Sequence, residues 1–229
     1  LEALGRLLGL EEPPHRIEAF DISNTGSDDI VASMTVFVDG KPRKRDYKHF
    51  KLKDMTGPDD YASMEQVLTR RFRRYLDGDE KFSTKPDLLL IDGGSVHANT
   101  AVTALRELGL TIPTFGMVKD DRHRTRALAA PDGREIGIQQ NQALFALIGT
   151  IQEETHRFAI EFNCAQHAKK VKGSVLDKIP GVGPKRRAEL LKHFKSVKKI
   201  KAASLAELEE VVDKRTARAV YEYFEGETQ

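Results

Sequence analysis

Residues 87–94 have the sequence Asp-Leu-Leu-Leu-Ile-Asp-Gly-Gly, a continuous apolar run that ends in a carboxylate and two glycines. Such a run, bounded by turn residues, is typical of a strand buried at the centre of a sheet. Residues 17–23, Ile-Glu-Ala-Phe-Asp-Ile-Ser, form a second β-prone run with an aspartate near its end. If the two strands are neighbours, Asp21 and Asp92 place two oxygen ligands at one edge of the sheet.

The segments around these strands predict an α/β fold with a mixed sheet flanked by helices. Asp39-Gly40 is a strong hairpin signal, so we expect a strand on each side of it, at 30–38 and 42–51. Asp59 or Asp60 is expected to cap the first long helix. This helix is expected to open at residues 58–60 and to run to about residue 76, and further helices are predicted at 95–108 and 141–162. A short amphipathic segment is expected at 1–10. The remaining predicted elements are strands at 17–22, 87–92 and 112–118 and a small hairpin at 126–138.

The C-terminal part of the chain has a different charge. Residues 169–229 contain 15 Lys and Arg against 9 Asp and Glu, a net charge of +6, whereas the preceding residues have a net charge of −4. We expect an α/β domain at 1–168, a polar linker at 169–173 and a small all-α domain at 174–229, with helices at 174–178, 184–194, 204–211 and 214–224. A basic tail suits a polyanion, and an acidic body suits metal-binding carboxylates.

Composition excludes several classes of protein. With 229 residues, 39% hydrophobic and 31% charged, the chain is expected to be globular and soluble. No apolar run approaches the roughly 18 residues of a membrane span, and we expect no membrane partner and no signal peptide. The chain begins at Leu1, so we expect a fragment of a longer protein. One cysteine, Cys164, forms no internal disulfide and fits a reducing, cytoplasmic location.

The two aspartates have two interpretations. A carboxylate at the end of a buried strand is unfavourable unless it is compensated, and a divalent cation is a common compensating partner. Paired carboxylates of this kind support metal-dependent phosphodiester chemistry. Alternatively, Asp21 and Asp92 are ordinary turn residues. The residues alone favour neither interpretation.

Two basic segments are candidate phosphate contacts. In Ile-Pro-Gly-Val-Gly-Pro-Lys (residues 179–185), Gly181 and Gly183 let the backbone approach a phosphate, and the following helix presents free N–H groups. Lys185, Arg186 and Arg187 add positive charge. Residues 119–126 form a second basic loop, which contains Arg124 and Arg126. The alternatives are a simple Pro-Gly connection between helices and a solvated charged loop.

Five short strings resemble the C-terminal half of the UvrC family, the incision subunit of bacterial nucleotide excision repair. They are Phe-Asp-Ile-Ser (20–23), Asp-Tyr-Ala-Ser-Met (60–64), Leu-Ile-Asp-Gly-Gly (90–94), His-Arg-Thr-Arg (123–126) and His-Arg-Phe-Ala-Ile (156–160). Residues 179–186 look like the family's tandem helix-hairpin-helix module. The chain departs from the family pattern at Ser95-Val96-His97, where Lys-Gly-Gln is usual, and at residues 211–215, where the second hairpin has no glycine.

This resemblance implies a ribonuclease H-like fold and an active site made of Asp21, Asp92 and His156, which bind Mg²⁺ or Mn²⁺. A lone helical histidine is otherwise more often structural, but an imidazole can bind metal or accept a proton from water. Glu153, one helical turn earlier, could orient it or form a surface ion pair. Five other histidines lack metal-site spacing and are expected to be structural or at the surface: His15, His49, His97, His167 and His193. Three phenylalanines at helical positions are expected in the core: Phe158, Phe162 and Phe194.

The resemblance also implies a function. We expect a metal-dependent endonuclease that cuts damaged double-stranded DNA on the 5′ side of a lesion. Its partners would be UvrB and the UvrA–UvrB damage-recognition system, mostly through regions outside this chain. The alternatives are a non-catalytic DNA-binding scaffold and, with less support, a transposase-like or RNA-cleaving member of the same fold class.

Overall fold

The computed structural model describes residues 1–24, 30–52, 59–172 and 175–226, with only the backbone for residue 24 and residues 167–172. Packing divides the chain into two compact units, Leu1–Phe162 and Asn163–Gln229. Each unit is described by itself below.

The first unit contains a mixed sheet of eight strands among the described residues, in the order β3-β2-β1-β5-β6-β7-β8, with β4 also paired to β2. β1 and β6 both run parallel to β5, and the other pairs are antiparallel. The strands are β1 (Arg16–Asn24), β2 (Ile30–Val38), β3 (Lys41–Pro42), β4 (Lys48–Leu52), β5 (Leu88–Asp92), β6 (Thr114–Lys119), β7 (Thr125–Ala129) and β8 (Glu135–Gly137).

The prediction that residues 87–92 lie at the centre of the sheet is confirmed. Leu88, Leu89, Leu90 and Ile91 are all fully buried, because helices cover both faces of this parallel part of the sheet. Leu89 and Ile91 pack into the core on one face, whereas Leu88 and Leu90 pack into the core on the other.

The predicted hairpin at Asp39-Gly40 is also confirmed, and both residues have positive φ, 51° and 79°. The single strand predicted over 42–51 is wrong, because a 3₁₀ turn at Lys44–Asp46 separates β3 from β4. The Asp46 carboxylate lies 2.9 Å from Nη1 of Arg16 and 3.1 Å from Nε of Arg43. These ion pairs stabilise the turn, and they could not be seen in the strand pattern.

Among the described residues, four α-helices pack against the sheet: α1 (Glu2–Leu8), α2 (Asp60–Leu76), α3 (Ser95–Glu107) and α4 (Gln142–Lys172). Side chains of α2 and α3 fill the first core cluster, and side chains of α1 and α4 fill the second. Asp59 is the cap of α2, since its carboxylate accepts hydrogen bonds from the backbone N–H groups of Tyr61 and Ala62.

Helix α4 is longer than predicted. Residues 150–172 contain no glycine or proline, so nothing in the local sequence ends the helix near residue 162. The linker predicted at 169–173 is therefore helical through Lys172, and Gly173 lies outside the described residues. The boundary found by packing, between Phe162 and Asn163, precedes the predicted one.

The second unit is helical, as predicted. It contains a 3₁₀ turn at Val175–Lys178, where a helix over 174–178 was predicted, followed by α5 (Pro184–Phe194), α6 (Val197–Ala202), α7 (Leu205–Glu209) and α8 (Lys214–Gly226). Residue 174 lies outside the described residues. Sequence analysis missed α6, whose Ser196 cap accepts a hydrogen bond from the N–H of Lys199. No helix in the described ranges is long and apolar enough to cross a membrane.

Candidate functional site

The two predicted aspartates lie side by side. β1 and β5 are parallel neighbours, and Phe20 is in register with Ile91, so the next residue of each strand is Asp21 or Asp92. Asp21 is buried, with 8% of its surface exposed, and Asp92 is half-buried as the last residue of β5. The sheet therefore brings two carboxyl groups together at one edge.

The carboxyl pair carries an unfavourable concentration of negative charge. Burial, followed by the charge of Asp92, raises the pKa of Asp21 from 3.8 to about 7. A side-chain hydrogen bond between Asp21 and Asp92 contributes to the same rise. Nζ of Lys119 lies 2.8 Å from Oδ1 and 2.9 Å from Oδ2 of Asp92 and offsets part of this charge. Asp21 is therefore the carboxyl group that lacks a full counter-charge.

His156 lies across from Asp21 on α4. Its Nδ1 atom is 3.7 Å from Oδ2 of Asp21, and its side chain is 60% exposed. This distance is too long for a hydrogen bond but close enough for a charge interaction. The arrangement brings all three predicted active-site residues to one edge of the sheet.

Buried polar contacts fix the part of α4 that carries His156. The hydroxyl of Thr155 lies 2.7 Å from the hydroxyl of Thr35 on β2. One turn earlier, Oε1 of Gln152 accepts hydrogen bonds from N and Oγ1 of Thr125, and Nε2 donates to the carbonyl of His123. Because these groups are buried and paired, they hold the helix in a defined position.

The chemistry of the donors fits a hard divalent cation. Within the part of the chain that the structure describes, no group of three or more His, Cys, Asp or Glu side chains is arranged to hold a metal. However, Mg²⁺ commonly binds through one or two carboxylates and completes its ligands with water and substrate phosphate. A buried carboxyl pair with one incomplete counter-charge provides such a donor set.

Sequence analysis missed the residue that supports the turn after Asp92. A Cβ atom on Gly116 of β6 would lie 2.4 Å from the carbonyl oxygen of Gly93 and 2.6 Å from that of Gly94. The Asp92-Gly93-Gly94 turn therefore rests directly on the backbone of β6. The available signal was an isolated glycine inside a predicted strand, which indicates a close backbone approach.

The basic loop is more self-contained than predicted. Lys119 ends β6 and pairs with Asp92, a role that sequence analysis did not assign. Arg124 pairs with Asp120 at 3.3 Å, and Arg126 pairs with Glu135 at 2.9 Å. Both arginine side chains keep a large exposed area, so their contact with DNA stays a prediction.

Most of the remaining histidines are structural or at the surface, as predicted. His49 stacks on Phe158 with ring centroids 3.8 Å apart, and burial lowers its pKa to about 4. His15 forms an exposed pair with Asp39. His97 differs, because its ring packs against Gly93 beside the carboxyl pair. His193 contacts Phe194, which packs on the core of the second unit. Phe162 contacts His49. The side chain of His167 lies outside the described residues. Glu153 is exposed, and its orienting role stays a prediction.

The glycine loop of the second unit has the predicted form. Gly181 has φ of 88°, and Gly183 precedes Pro184 at the start of α5 without a side-chain cap. Lys185 is exposed. Arg186 donates to the carbonyl of Gly181 and lies 2.9 Å from Oδ2 of Asp213.

Arg187 does not lie at the surface of this loop. It is 8% exposed, and its guanidinium pairs with Asp177. Its charge is therefore directed into the unit, and its predicted contact with DNA is not supported by its position.

The second hairpin differs from the first at the start of its helix. Oδ1 of Asp213 accepts a hydrogen bond from N of Thr216 at 3.0 Å, and Oδ2 accepts one from its hydroxyl at 2.8 Å. These hydrogen bonds lower the pKa of Asp213. A carboxylate thus occupies the end of α8 that the first hairpin leaves open at α5, which weakens any attraction for phosphate there.

Comparisons with known proteins agree with this architecture. Residues 5–160 match the UvrC RNAse H endonuclease domain, and residues 174–225 match the SAM-like helix-hairpin-helix tandem. The UvrABC system protein C of Acetivibrio thermocellus is 46% identical over 98% of this chain and 38% of its own length. That of Ruminiclostridium cellulolyticum is 47% identical over 96% of this chain and 37% of its own length. The chain thus spans less than half the length of these relatives.

Similarity to solved structures is weaker, with TM-scores below 0.5. Human ENDOV matches with a TM-score of 0.35 and 14% identity over 64% of this chain and 84% of its own. Endonuclease V of Ciona intestinalis, solved in complex with DNA, matches with a TM-score of 0.34 and 12% identity over 47% of this chain and 48% of its own.

Proposed function

We propose that this chain, which belongs to the UvrC family, is a divalent-metal-dependent DNA endonuclease that makes the incision 5′ to a lesion in nucleotide excision repair. The observation that carries the proposal is the pair of Asp21, which is buried, and Asp92, which is half-buried, on adjacent parallel strands. Two carboxyl groups with one incomplete counter-charge suit a cation-dependent phosphodiesterase.

Asp21 and Asp92 would hold Mg²⁺ or Mn²⁺, with His156 beside Asp21 as a third ligand or a general base. When bound, such a cation acidifies water and stabilises charge on a phosphate. His156 can accept a proton from water because its imidazole is exposed to solvent. Lys119, whose side chain is 30% exposed, neutralises Asp92 and can also attract a phosphate to the site.

The second unit would hold the DNA backbone. Gly181 and Gly183 allow close approach, the open start of α5 favours an anion, and Lys185 adds an exposed charge. Arg186 braces this loop through Gly181 and Asp213. Such contacts fix the position of a duplex without selecting a base sequence. Arg124 and Arg126 would add backbone contacts to the first unit.

The proposed partners follow from the family. Because the relatives are UvrABC system proteins, we propose that the whole protein acts on damaged double-stranded DNA with UvrB and the UvrA–UvrB system. A cytoplasmic location is part of the same proposal, and it fits the free thiol of Cys164.

The test is cleavage of a 5′-labelled duplex that carries one bulky lesion and a nick 3′ to it, with Mg²⁺ or Mn²⁺. We expect wild type to cut on the 5′ side of the lesion and both Asp21→Ala and His156→Ala to lose cutting. An RNA–DNA hybrid in the same series tests the RNA-cleaving alternative. Cutting that survives both substitutions would place the active site elsewhere.

One observation favours the scaffold alternative. Lys119 already pairs with both oxygens of Asp92, as it would in a nuclease fold that only positions a partner. A scaffold would bind the same duplex equally well with or without metal and would cut it under no condition. DNA binding by wild type, Asp21→Ala and His156→Ala, measured beside cutting, distinguishes these outcomes.

A further inference from the structure

Exposed apolar side chains lie on the helices that carry His156 or His97, or that contact His97. Five large apolar residues are exposed among the described residues: Leu7, Tyr61, Leu76, Val96 and Ile160. Tyr61 lies in the first turn of α2, Val96 in the first turn of α3, and Ile160 one turn after His156 on α4. The surroundings of the carboxyl pair are therefore suited to a ligand with apolar faces as well as charge.

Tyr61 and His97 form one aromatic surface at this place, which we name the aromatic rim. Their ring centroids are 4.7 Å apart and their planes are inclined by 41°. On its other side, the His97 ring covers Gly93, where an added Cβ would lie 2.6 Å from ring atoms Cγ and Nδ1. Because Gly93 directly follows Asp92, the aromatic rim extends outward from the edge of the carboxyl pair.

Packing of the first unit does not account for Tyr61. The residue is 46% exposed. Among the described residues of this unit, neither core cluster includes Tyr61. By contrast, Met64, one turn later on α2, is fully buried. Tyr61 thus presents a large aromatic face to solvent beside a polar site.

We propose that the aromatic rim stacks on one nucleobase of the cut DNA strand, next to the scissile phosphate. The inference rests on the proposed function, because it takes DNA as the substrate of the carboxyl pair. Because the rim covers Gly93, which follows Asp92, a strand whose phosphate reaches the carboxyl pair can place a neighbouring base against the rim. Aromatic side chains stack on unpaired bases of any sequence, since every base has a π-face. The rim would therefore engage a base that has left the duplex stack, without selecting its identity.

A combined change of protein and DNA tests this inference. The substrates are the nicked lesion duplex and variants with an abasic residue at each of the two positions on either side of the scissile phosphate. We expect Tyr61→Ala to slow single-turnover cleavage about tenfold, the loss typical of one stacked base, and Tyr61→Phe to keep the rate. Leu76→Ala, on the same helix and 51% exposed, is the matched control.

At one of these positions, the abasic residue should slow cleavage by wild type as much as Tyr61→Ala slows cleavage of the intact substrate. The abasic residue and Tyr61→Ala together should then slow cleavage no more than either change alone. Losses that multiply at every position would overturn the inference, and so would an unchanged rate in Tyr61→Ala. Tyr61→Leu separates stacking from bulk, because a stacking role requires the leucine variant to resemble the alanine variant.

Fluorescence of 2-aminopurine at the same positions, measured with EDTA present, separates this inference from the proposed function. Stacking should quench the fluorescence with wild type and Tyr61→Phe at one position, but not with Tyr61→Ala. Quenching that does not depend on Tyr61 at any position would overturn the rim even if the protein cuts DNA. Tyr61-dependent quenching without any cutting would instead keep the rim and contradict the nuclease.

Discussion

Asp21 is the residue whose environment is least favourable to its charged form. It is buried beside a second carboxyl group, and its pKa is raised to about 7. Such an arrangement reduces the stability of the folded protein at neutral pH. A metal-binding role would account for this loss of stability, because a bound cation would favour the charged form of both carboxylates.

Asp21→Asn should therefore stabilise the metal-free protein in a pH-dependent way. The folded pKa of about 7 exceeds the unfolded value, so wild type loses stability as pH rises from about 4 through 7, and the asparagine variant does not. The variant should gain little at pH 4 and up to about 4 kcal/mol above pH 8. Urea unfolding of the first unit with EDTA at several pH values measures this difference.

The exposed Asp121 provides the control, as Asp121→Asn should change stability little at any pH. A gain in Asp21→Asn that is the same at all pH values would show that the Asp21 carboxyl is not the group that titrates. Added Mn²⁺ should stabilise wild type more than Asp21→Asn, because only wild type keeps both carboxylates.

Asp21, Asp92 and His156 could be proposed as the active site because each lies in a recognisable local string, and that assignment stays a prediction. It could not assign Lys119 to Asp92, since that pair depends on β6 lying beside β5. It could not foresee the burial of Arg187 either, because the acidic partner of Arg187 is ten residues earlier and meets it only in the folded unit. Local chemistry was visible in the sequence, but tertiary pairing was not.

At the scale of elements, the contact between β6 and the turn after β5 positions Asp92. Gly116→Ala would place a methyl group against two backbone carbonyl oxygens, which cannot move as a side-chain end could. We expect a loss of about 1–3 kcal/mol in stability together with slower cleavage. Gly137→Ala on β8, where an added Cβ meets no atom within 4 Å, is the matched control. Equal effects of the two substitutions, in thermal unfolding and in cleavage, would argue against a supporting role for Gly116.

Helix α2 is joined to β1 by a buried ion pair. Arg71 and Glu18 are both fully buried. Nη2 of Arg71 lies 2.8 Å from Oε1 of Glu18, and the same guanidinium donates to the carbonyls of Phe82 and Thr84. Because all these groups are paired, the network fixes how α2 packs on the sheet.

Arg71→Ala should cost about 3–5 kcal/mol, since it leaves the Glu18 charge buried with less compensation. Arg73→Ala, two residues later and exposed, should change stability little. Denaturant unfolding of the two variants provides the comparison. A loss below about 1 kcal/mol in Arg71→Ala would mean that Arg16, which lies 3.1 Å from Glu18, compensates the carboxylate alone.

Element boundaries were predicted well where a local signal exists. The Asp39-Gly40 turn, the Asp59 cap and the start of α5 at Pro184 all follow from residue chemistry. The end of α4 and the interruption between β3 and β4 were missed. No glycine or proline lies near residue 162, where α4 was predicted to end, and the interruption depends on ion pairs of Asp46 with Arg16 and Arg43.

At the scale of the whole molecule, the chain separates charge between its two units. Residues 169–229 are basic and follow a mildly acidic remainder, a distribution that suits binding of a polyanion by the C-terminal residues. The fold class and this order of units could be predicted from sequence. The boundary predicted at residue 168 stays a prediction, and α4 continues through it to Lys172.

The two hairpins of the second unit should contribute unequally to DNA binding. Lys185→Glu should weaken binding strongly and reduce the salt dependence of the affinity by about one phosphate contact. Arg215 holds the same second place in α8 that Lys185 holds in α5, yet Arg215→Glu should have a smaller effect because Asp213 occupies that helix start. Fluorescence anisotropy over a range of salt concentrations tests this difference. Equal losses would mean that both hairpins grip the backbone.

The central claim is that the pair of Asp21 and Asp92 forms the active site of a metal-dependent nuclease. The most direct test is the single-turnover rate of cutting a nicked, lesion-containing duplex, measured against Mn²⁺ concentration with protein in excess over DNA. We expect a saturable dependence on Mn²⁺ for wild type and no detectable cutting by Asp21→Asn or Asp92→Asn, with DNA binding unchanged in both. Metal-dependent cutting that persists in either asparagine variant would contradict the account.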